Sequence, residues 1–167
     1  MDRLIGIAAL VGLTCALAVH ALTFISVRID PDMPQVWLLH LGIFVVFIPL
    51  VFSLRRTYGQ NLSTAQLCSI LPRWASTLVV LTFAYVFLNF ALFFLRTEGG
   101  SPEMRDGVYV LQSRGKVIRE LSYADFKLYH AYVLRGFSGH WLVFYLVPSL
   151  YFLVRRQNQE TSIANGP

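Results

Sequence analysis

Four long apolar stretches constrain the fold of this 167-residue chain more than any other feature. They cover roughly residues 4–27, 36–54, 75–95 and 138–154. A helix needs about 20 apolar residues to cross the hydrocarbon core of a bilayer. Only 14% of the residues are charged, against about 25% in a soluble domain. Because lipid offers no partner to the backbone, we predict four transmembrane helices. The first stretch is longer than the apolar core of a secretory signal, so we expect it to be retained.

Basic residues at the ends of the stretches indicate the orientation. Arginine occurs before the first stretch, on both sides of the loop between the second and third, and directly after the fourth. These residues are Arg3, Arg55, Arg56, Arg73, Arg155 and Arg156. Since cytoplasmic flanks are enriched in Lys and Arg, we predict both termini in the cytoplasm. The expected location is the cytoplasmic (inner) membrane of a bacterium.

The loop between the third and fourth stretches predicts a small extracytoplasmic module. Residues 97–107 are rich in Gly and are interpreted as a linker of turns,. Residues 108–112 and 116–121 have the composition of a β-hairpin. A helix should follow over 123–134, with Gly136 as its stop. We therefore predict an all-α polytopic membrane protein with a hairpin and a helix between spans 3 and 4.

The chain divides on this basis into four parts. Residues 1–96 hold three spans, including a short interfacial helix within the inner loop near residues 63–71,. Residues 97–137 form the extracytoplasmic module, and 138–156 form the fourth span. Residues 157–167 are polar and are predicted to be a disordered cytoplasmic tail.

Each span carries a polar side chain at a similar depth: His20, His40, Asn89 and His140. Such groups are expensive in a bilayer and usually face a partner. Tyr85 lies on the polar line of the third span, next to Asn89. These five residues are the candidate cofactor-binding residues.

Three interpretations of this polar layer stay open, one of which is that His40 and His140 are simply hydrated residues of the membrane interface. Paired histidines on neighbouring helices can hold a haem iron or another metal, and a quinone needs only one or two such groups. The interpretation that we favour is a layer of interhelical hydrogen bonds that fixes helix register. The sequence has neither C-x-x-C-H nor H-E-x-x-H, and no arrangement of nucleophile, base and acid,. We therefore predict haem or no cofactor, no resident metal motif and no catalytic residues.

The outer module supplies a second set of candidates, for binding a partner. Its basic and aromatic side chains are Tyr109, Arg114, Lys116, Arg119, Phe126 and His130. An isolated hairpin is barely stable in water, so the module should rest on its own spans, the membrane or another protein.

Small residues at intervals of four form a seam along the first span: Ala8, Gly12 and Ala16, continued by His20. Such spacing lets another helix approach closely. The seam can pair within the bundle or between two copies in a homo-oligomer.

Two functional hypotheses follow. The first, which we favour, is a non-enzymatic accessory subunit or regulator of a membrane complex, with the outer module binding a membrane or extracytoplasmic protein. The second is a haem-, metal- or quinone-binding redox subunit that uses the histidine layer. No basic stripe interleaved with aromatic residues occurs, so we expect no nucleic-acid partner.

Overall fold

The computed structural model describes residues 1–25, 34–59 and 69–164, and within these residues it has four long helices and three short strands. Side chains are described for these residues except 34 and 156–164. Helix α1 spans Asp2–Leu22. A 3₁₀ turn, Pro34–Trp37, leads into α2, Leu38–Tyr58. Helix α3 spans Arg73–Thr97, and α4 spans Tyr123–Ala164.

Each of the four helices is long and apolar enough to cross a membrane, as the sequence predicted. They differ greatly in how far the protein covers them. In α4, 67% of the apolar stretch that could cross the membrane is buried within the protein, whereas in α3 only 6% of the corresponding stretch is buried. Helix α4 is therefore the centre of the bundle, and the other three pack around it. Lipid or another protein is left to cover most of α3.

Small residues on α1 allow its close approach to α4. The buried positions include Gly12 and Ala16, as the predicted seam requires, while Ala8 is exposed. A Cβ atom added at Gly12 would lie 2.2 Å from Cε1 of Tyr145. The hydroxyl of Tyr145 donates a 2.6 Å hydrogen bond to the carbonyl of Leu39 on α2. The seam is thus used within the bundle, where α1 and α2 meet the same tyrosine of α4.

A three-stranded antiparallel sheet lies between α3 and α4, in the order β1-β2-β3. The strands are β1 Ser101–Arg105, β2 Val108–Ser113 and β3 Lys116–Glu120. The pairing of β2 with β3 confirms the predicted hairpin. The linker predicted over 97–107 is wrong in part, because β1 forms there and pairs with β2.

The two turns of this sheet explain why β1 forms. Asp106 and Gly107 connect β1 to β2 with φ of 51° and 81°, and Arg114 and Gly115 connect β2 to β3 with the same pair of values. Two successive positive φ angles characterise the type I′ hairpin turn, for which Asp-Gly is a favoured sequence. Asp106-Gly107 was therefore a hairpin signal that the Gly-rich interpretation overlooked.

Helix α4 runs without interruption from the sheet into the membrane span. The predicted stop at Gly136 is wrong, because the helix continues through this residue. The backbone is also helical over residues 157–164, where we had expected a disordered tail. Both α2 and α4 continue through their prolines, Pro49 and Pro148. The predicted interfacial helix of the inner loop falls mainly on residues 60–68, which lie outside the described residues.

The sheet rests on the first turns of α4. Its core contains Leu111 and Leu121 from the sheet side, packed against Phe126 and Tyr129 of the helix. Glu98, directly after α3, closes the module at its edge. It accepts hydrogen bonds from the Tyr129 hydroxyl at 2.7 Å and from Arg119 at 3.1 Å. These contacts connect α3, β3 and α4.

Acid should loosen this connection. The hydrogen bond from Tyr129, followed by that from Arg119, lowers the pKa of Glu98 below its ordinary value of 4.5. A lowered pKa means that ionised Glu98 stabilises the folded module above its ordinary pKa. That contribution disappears as the pH falls through the lowered value. We expect exchange protection of β3 amides, corrected for intrinsic rates, to fall as the pH decreases through 4.5 and then through the lowered pKa of Glu98,.

The matched variant is Glu98→Gln. It should have weaker β3 protection near neutral pH and a flatter pH dependence than the wild-type protein. Indistinguishable profiles for the two proteins would contradict a stabilising role for the ionised carboxylate.

Candidate functional site

The predicted polar layer separates into two clusters on different faces of α4. The first, which we call the His20 cluster, consists of His20, Thr23, Tyr85, Asn89, Arg135 and Ser138. The second, the His40 cluster, consists of Trp37, His40, His140 and Trp141. Helices α1 and α3 complete the first cluster, whereas α2 completes the second. The structure therefore brings His40 and His140 together and places His20 in a separate group.

His20 is buried and uses both ring nitrogens inside the protein. Nδ1 shares a 2.7 Å hydrogen bond with Oγ of Ser138, and Nε2 shares one with the hydroxyl of Tyr85. The rings of Phe24 and Tyr85 meet the imidazole edge-on, at centroid distances of 5.3 and 5.6 Å. A metal ion could bind this imidazole only by displacing one of the two hydroxyl groups. The arrangement is that of a three-helix hydrogen-bond junction.

Asn89 connects α3 to the backbone of α4. Its Nδ2 donates to the carbonyls of Arg135 at 2.9 Å and Gly136 at 3.5 Å. A carbonyl oxygen has two lone pairs and can accept this bond in addition to its helical one. A Cβ atom added at Gly139 would lie 2.2 Å from Asn89 Nδ2. A Cβ added at Gly136 would lie 2.8 Å from the ring of Phe93. The two glycines therefore allow α3 to approach α4 closely, and neither of them ends α4.

Three members of the His20 cluster were missed from sequence: Thr23, Arg135 and Ser138. Arg135 Nε donates to Thr23 Oγ1 at 3.1 Å, and a terminal nitrogen donates to the Thr23 carbonyl. Its guanidinium carbon also lies 4.1 Å from the centroid of the Phe24 ring. These contacts hold the end of α1 against α4. The available signal was the group of small residues Gly136, Ser138 and Gly139, which is typical of a helix–helix contact in a membrane,.

The His40 cluster is aromatic and half-buried. Nε1 of Trp141 donates to Nδ1 of His40 at 3.0 Å. The rings of His40 and His140 are perpendicular, with centroids 5.9 Å apart. Trp141 is 0% exposed and packs in the bundle core. Trp37 covers it, at a centroid distance of 5.9 Å. The bond from Trp141 uses Nδ1 of His40 and does not involve Nε2.

The candidate partner-binding residues of the sheet module fall into two groups. Arg114 and Lys116 are exposed at the turn and the start of β3. The other four take part in the packing of the module itself. Arg119 bonds Glu98 and Tyr129, Phe126 is buried against Tyr109 at 4.5 Å between centroids, and His130 meets Phe126 at the same distance.

By length and composition, the four helices are those of a multi-pass membrane protein. Among the residues that the structure describes, no group of three or more His, Cys, Asp or Glu side chains is placed to hold a metal ion. No family model matches the chain, and neither a curated protein nor a solved structure matches it.

Replacing His20 tests whether its cluster supports the bundle. His20→Phe keeps an aromatic ring at this position but removes both ring nitrogens. The hydroxyl groups of Ser138 and Tyr85 then lose their hydrogen-bond partner. We expect a loss of about 1–2 kcal/mol in the free energy of unfolding. The measurement is thermal unfolding in detergent.

Thr77→Val is the matched control, because Thr77 is exposed on α3 and its hydroxyl donates to the carbonyl of Arg73 in its own helix. The control should change stability by less than about 0.5 kcal/mol. Equal losses in the two variants would mean that the His20 cluster has no special structural role.

Proposed function

We propose that this protein is a non-enzymatic membrane accessory protein, a subunit or regulator of a membrane complex, whose sheet module binds a partner protein. The observation that carries the proposal is the exposure of strand β3 at the edge of the sheet. This strand forms one edge of the sheet, and all five of its residues are exposed. An uncovered edge strand offers unpaired backbone donors and acceptors, which an extended segment of another chain can pair with.

The two edges of the sheet are not equivalent. At the other edge, β1 contains Pro102, which has no N–H to offer, and β1 contacts α4. Strand β3 has no proline and carries the apolar side chains of Val117 and Ile118, which are 47% and 43% exposed. Natural edge strands are protected by a proline, charged side chains such as Lys, a β-bulge or a covering element. β1 has a proline and the contact with α4, whereas β3 has Lys116 and a bulge against β2 but leaves its apolar side chains uncovered.

The charge next to β3 indicates the kind of segment that would fit. Arg114 and Lys116 are exposed at one end of the strand, whereas Arg119 is already neutralised by Glu98. Cross-strand pairs of opposite charge stabilise a sheet by a few tenths of a kcal/mol to about 1 kcal/mol. We therefore propose an extended segment with acidic residues opposite Arg114 and Lys116.

The attachment of the module supports a role in positioning a partner. Because α4 continues from the sheet into the bundle, no flexible linker separates the two on that side. A segment bound to β3 would thus be held at a fixed position relative to the membrane. From the arginines that flank the spans, we propose that this module lies on the extracytoplasmic side, with both termini in the cytoplasm of a bacterium.

Site-specific photo-crosslinking in intact cells tests the edge. A photoreactive amino acid at Val117 of β3 should give a discrete crosslinked product. The matched control places it at Met104, which is 63% exposed on β1. Lys116→Glu should weaken the Val117 product several-fold, because a reversed pair costs roughly 1 kcal/mol.

Two results would contradict the proposal. One is an equal product from both edges, and the other is a Val117 product that Lys116→Glu leaves unchanged. Removing residues 107–135 would be a poor test, since this deletes the beginning of α4 together with its packing on the sheet.

A haem-, metal- or quinone-binding redox subunit is the second candidate, favoured by the adjacency of His40 and His140. If this candidate is correct, the purified protein should show visible absorbance or bound metal. The variants His40→Ala and His140→Ala should lose this signal. The signal should survive His20→Ala, because His20 belongs to the other cluster. A colourless, metal-free protein that still gives the β3 crosslink would exclude this candidate.

A further inference from the structure

A cavity of about 140 Å³ opens between α3 and α4 at the end of the bundle that carries the sheet. Its wall combines polar groups with apolar ones. The members that matter here are Tyr85, Leu88, Leu92, Arg96, Tyr132 and Arg135. Neither hypothesis drawn from the sequence assigned a role to the two arginines.

The two guanidinium groups lie around one aromatic ring. The Cζ atoms of Arg96 and Arg135 are 5.4 and 5.7 Å from the centroid of Tyr132. Across the described part of the chain, the ion pairs within 4.0 Å are Arg105–Glu103 and Arg119–Glu98, so no described carboxylate neutralises this pair. Two like charges in a partly apolar environment are costly, and a bound anion would relieve that cost.

The arginines also keep hydrogen-bond donors for a ligand. A guanidinium has five N–H donors in a planar fork. Arg135 uses two of its nitrogens on Thr23, and Arg96 makes one long bond of 3.5 Å to the Tyr132 hydroxyl. Such a fork matches the oxygens of a phosphate or carboxylate and can bind them through two bonds at once.

The apolar side of the cavity indicates where the ligand comes from. Leu88 and Leu92 are 59% and 42% exposed on α3, the helix that the protein leaves least covered. In a membrane this face meets acyl chains, so a molecule entering here carries an apolar part. We infer that the cavity binds the phosphate head group of an anionic membrane lipid through Arg96 and Arg135, with an acyl chain along Leu88 and Leu92.

Native mass spectrometry of the detergent-purified, delipidated full-length protein tests this inference. The probes are phosphatidylglycerol and phosphatidylcholine with the same acyl chains, at equal concentration. We expect phosphatidylglycerol to be retained about tenfold better, a preference that corresponds to about 1.4 kcal/mol. An excess of inorganic phosphate should leave this adduct in place.

Three variants locate the site. Arg96→Gln removes an exposed charge, and Leu88→Trp fills the entrance without changing charge; both should abolish the preference. Arg73→Gln is the matched control, because it removes an exposed charge at the opposite end of α3 and should keep the preference. Each variant should unfold at the wild-type temperature, which separates loss of binding from loss of fold.

Several outcomes would overturn the inference. Equal retention of the two lipids, or equal loss in Arg73→Gln and Arg96→Gln, would mean that charge acts without a site. Displacement by inorganic phosphate, together with no effect of Leu88→Trp, would identify the ligand as a free anion instead of a lipid.

Discussion

The continuity of α4 is the constraint on which the rest of this structure depends. The helix supports the sheet at its beginning, supplies Arg135 and Ser138 to the His20 cluster, and contributes His140 and Trp141 to the His40 cluster. Helices α1, α2 and α3 all pack against it. A break in this helix would separate the sheet from the bundle and would remove the shared element that both polar clusters use.

The polar groups of the bundle specify its packing more than they add stability. An interhelical hydrogen bond in a membrane contributes about 0.6 kcal/mol on average, because the separated helices also find partners. His20 nevertheless contacts α3 and α4 at once, through Tyr85 and Ser138, and so fixes the mutual register of three helices. The glycines at 136 and 139 serve the same end, since they let α3 approach the backbone of α4. The register of the helices thus depends on a few contacts. The remaining apolar surface of α3 is left for lipid or a partner to cover.

The sequence predicted the features that depend on composition and local pattern. Four spans, the β2–β3 hairpin and the burial of His20 and Asn89 followed from apolar length, alternation and the cost of polar groups in lipid. The failures concern residues whose local preference was overruled by packing. Glycine commonly ends a helix, yet Gly136 lies inside α4,. A glycine is needed there because the ring of Phe93 lies against it. The division of one layer into two clusters was not predictable, because depth along a helix does not define which face a side chain occupies.

The most direct test of this account is the distance across the middle of α4. Spin labels at Tyr123 and Phe144, in a background without other cysteines, would be measured by pulsed electron resonance in lipid. A continuous helix predicts a narrow distribution of backbone separation centred at about 31 Å, from 1.5 Å per residue. A shorter, broad distribution would mean that the chain bends between Gly136 and Gly139. The sheet would then be a separate module on a hinge, which contradicts the central claim.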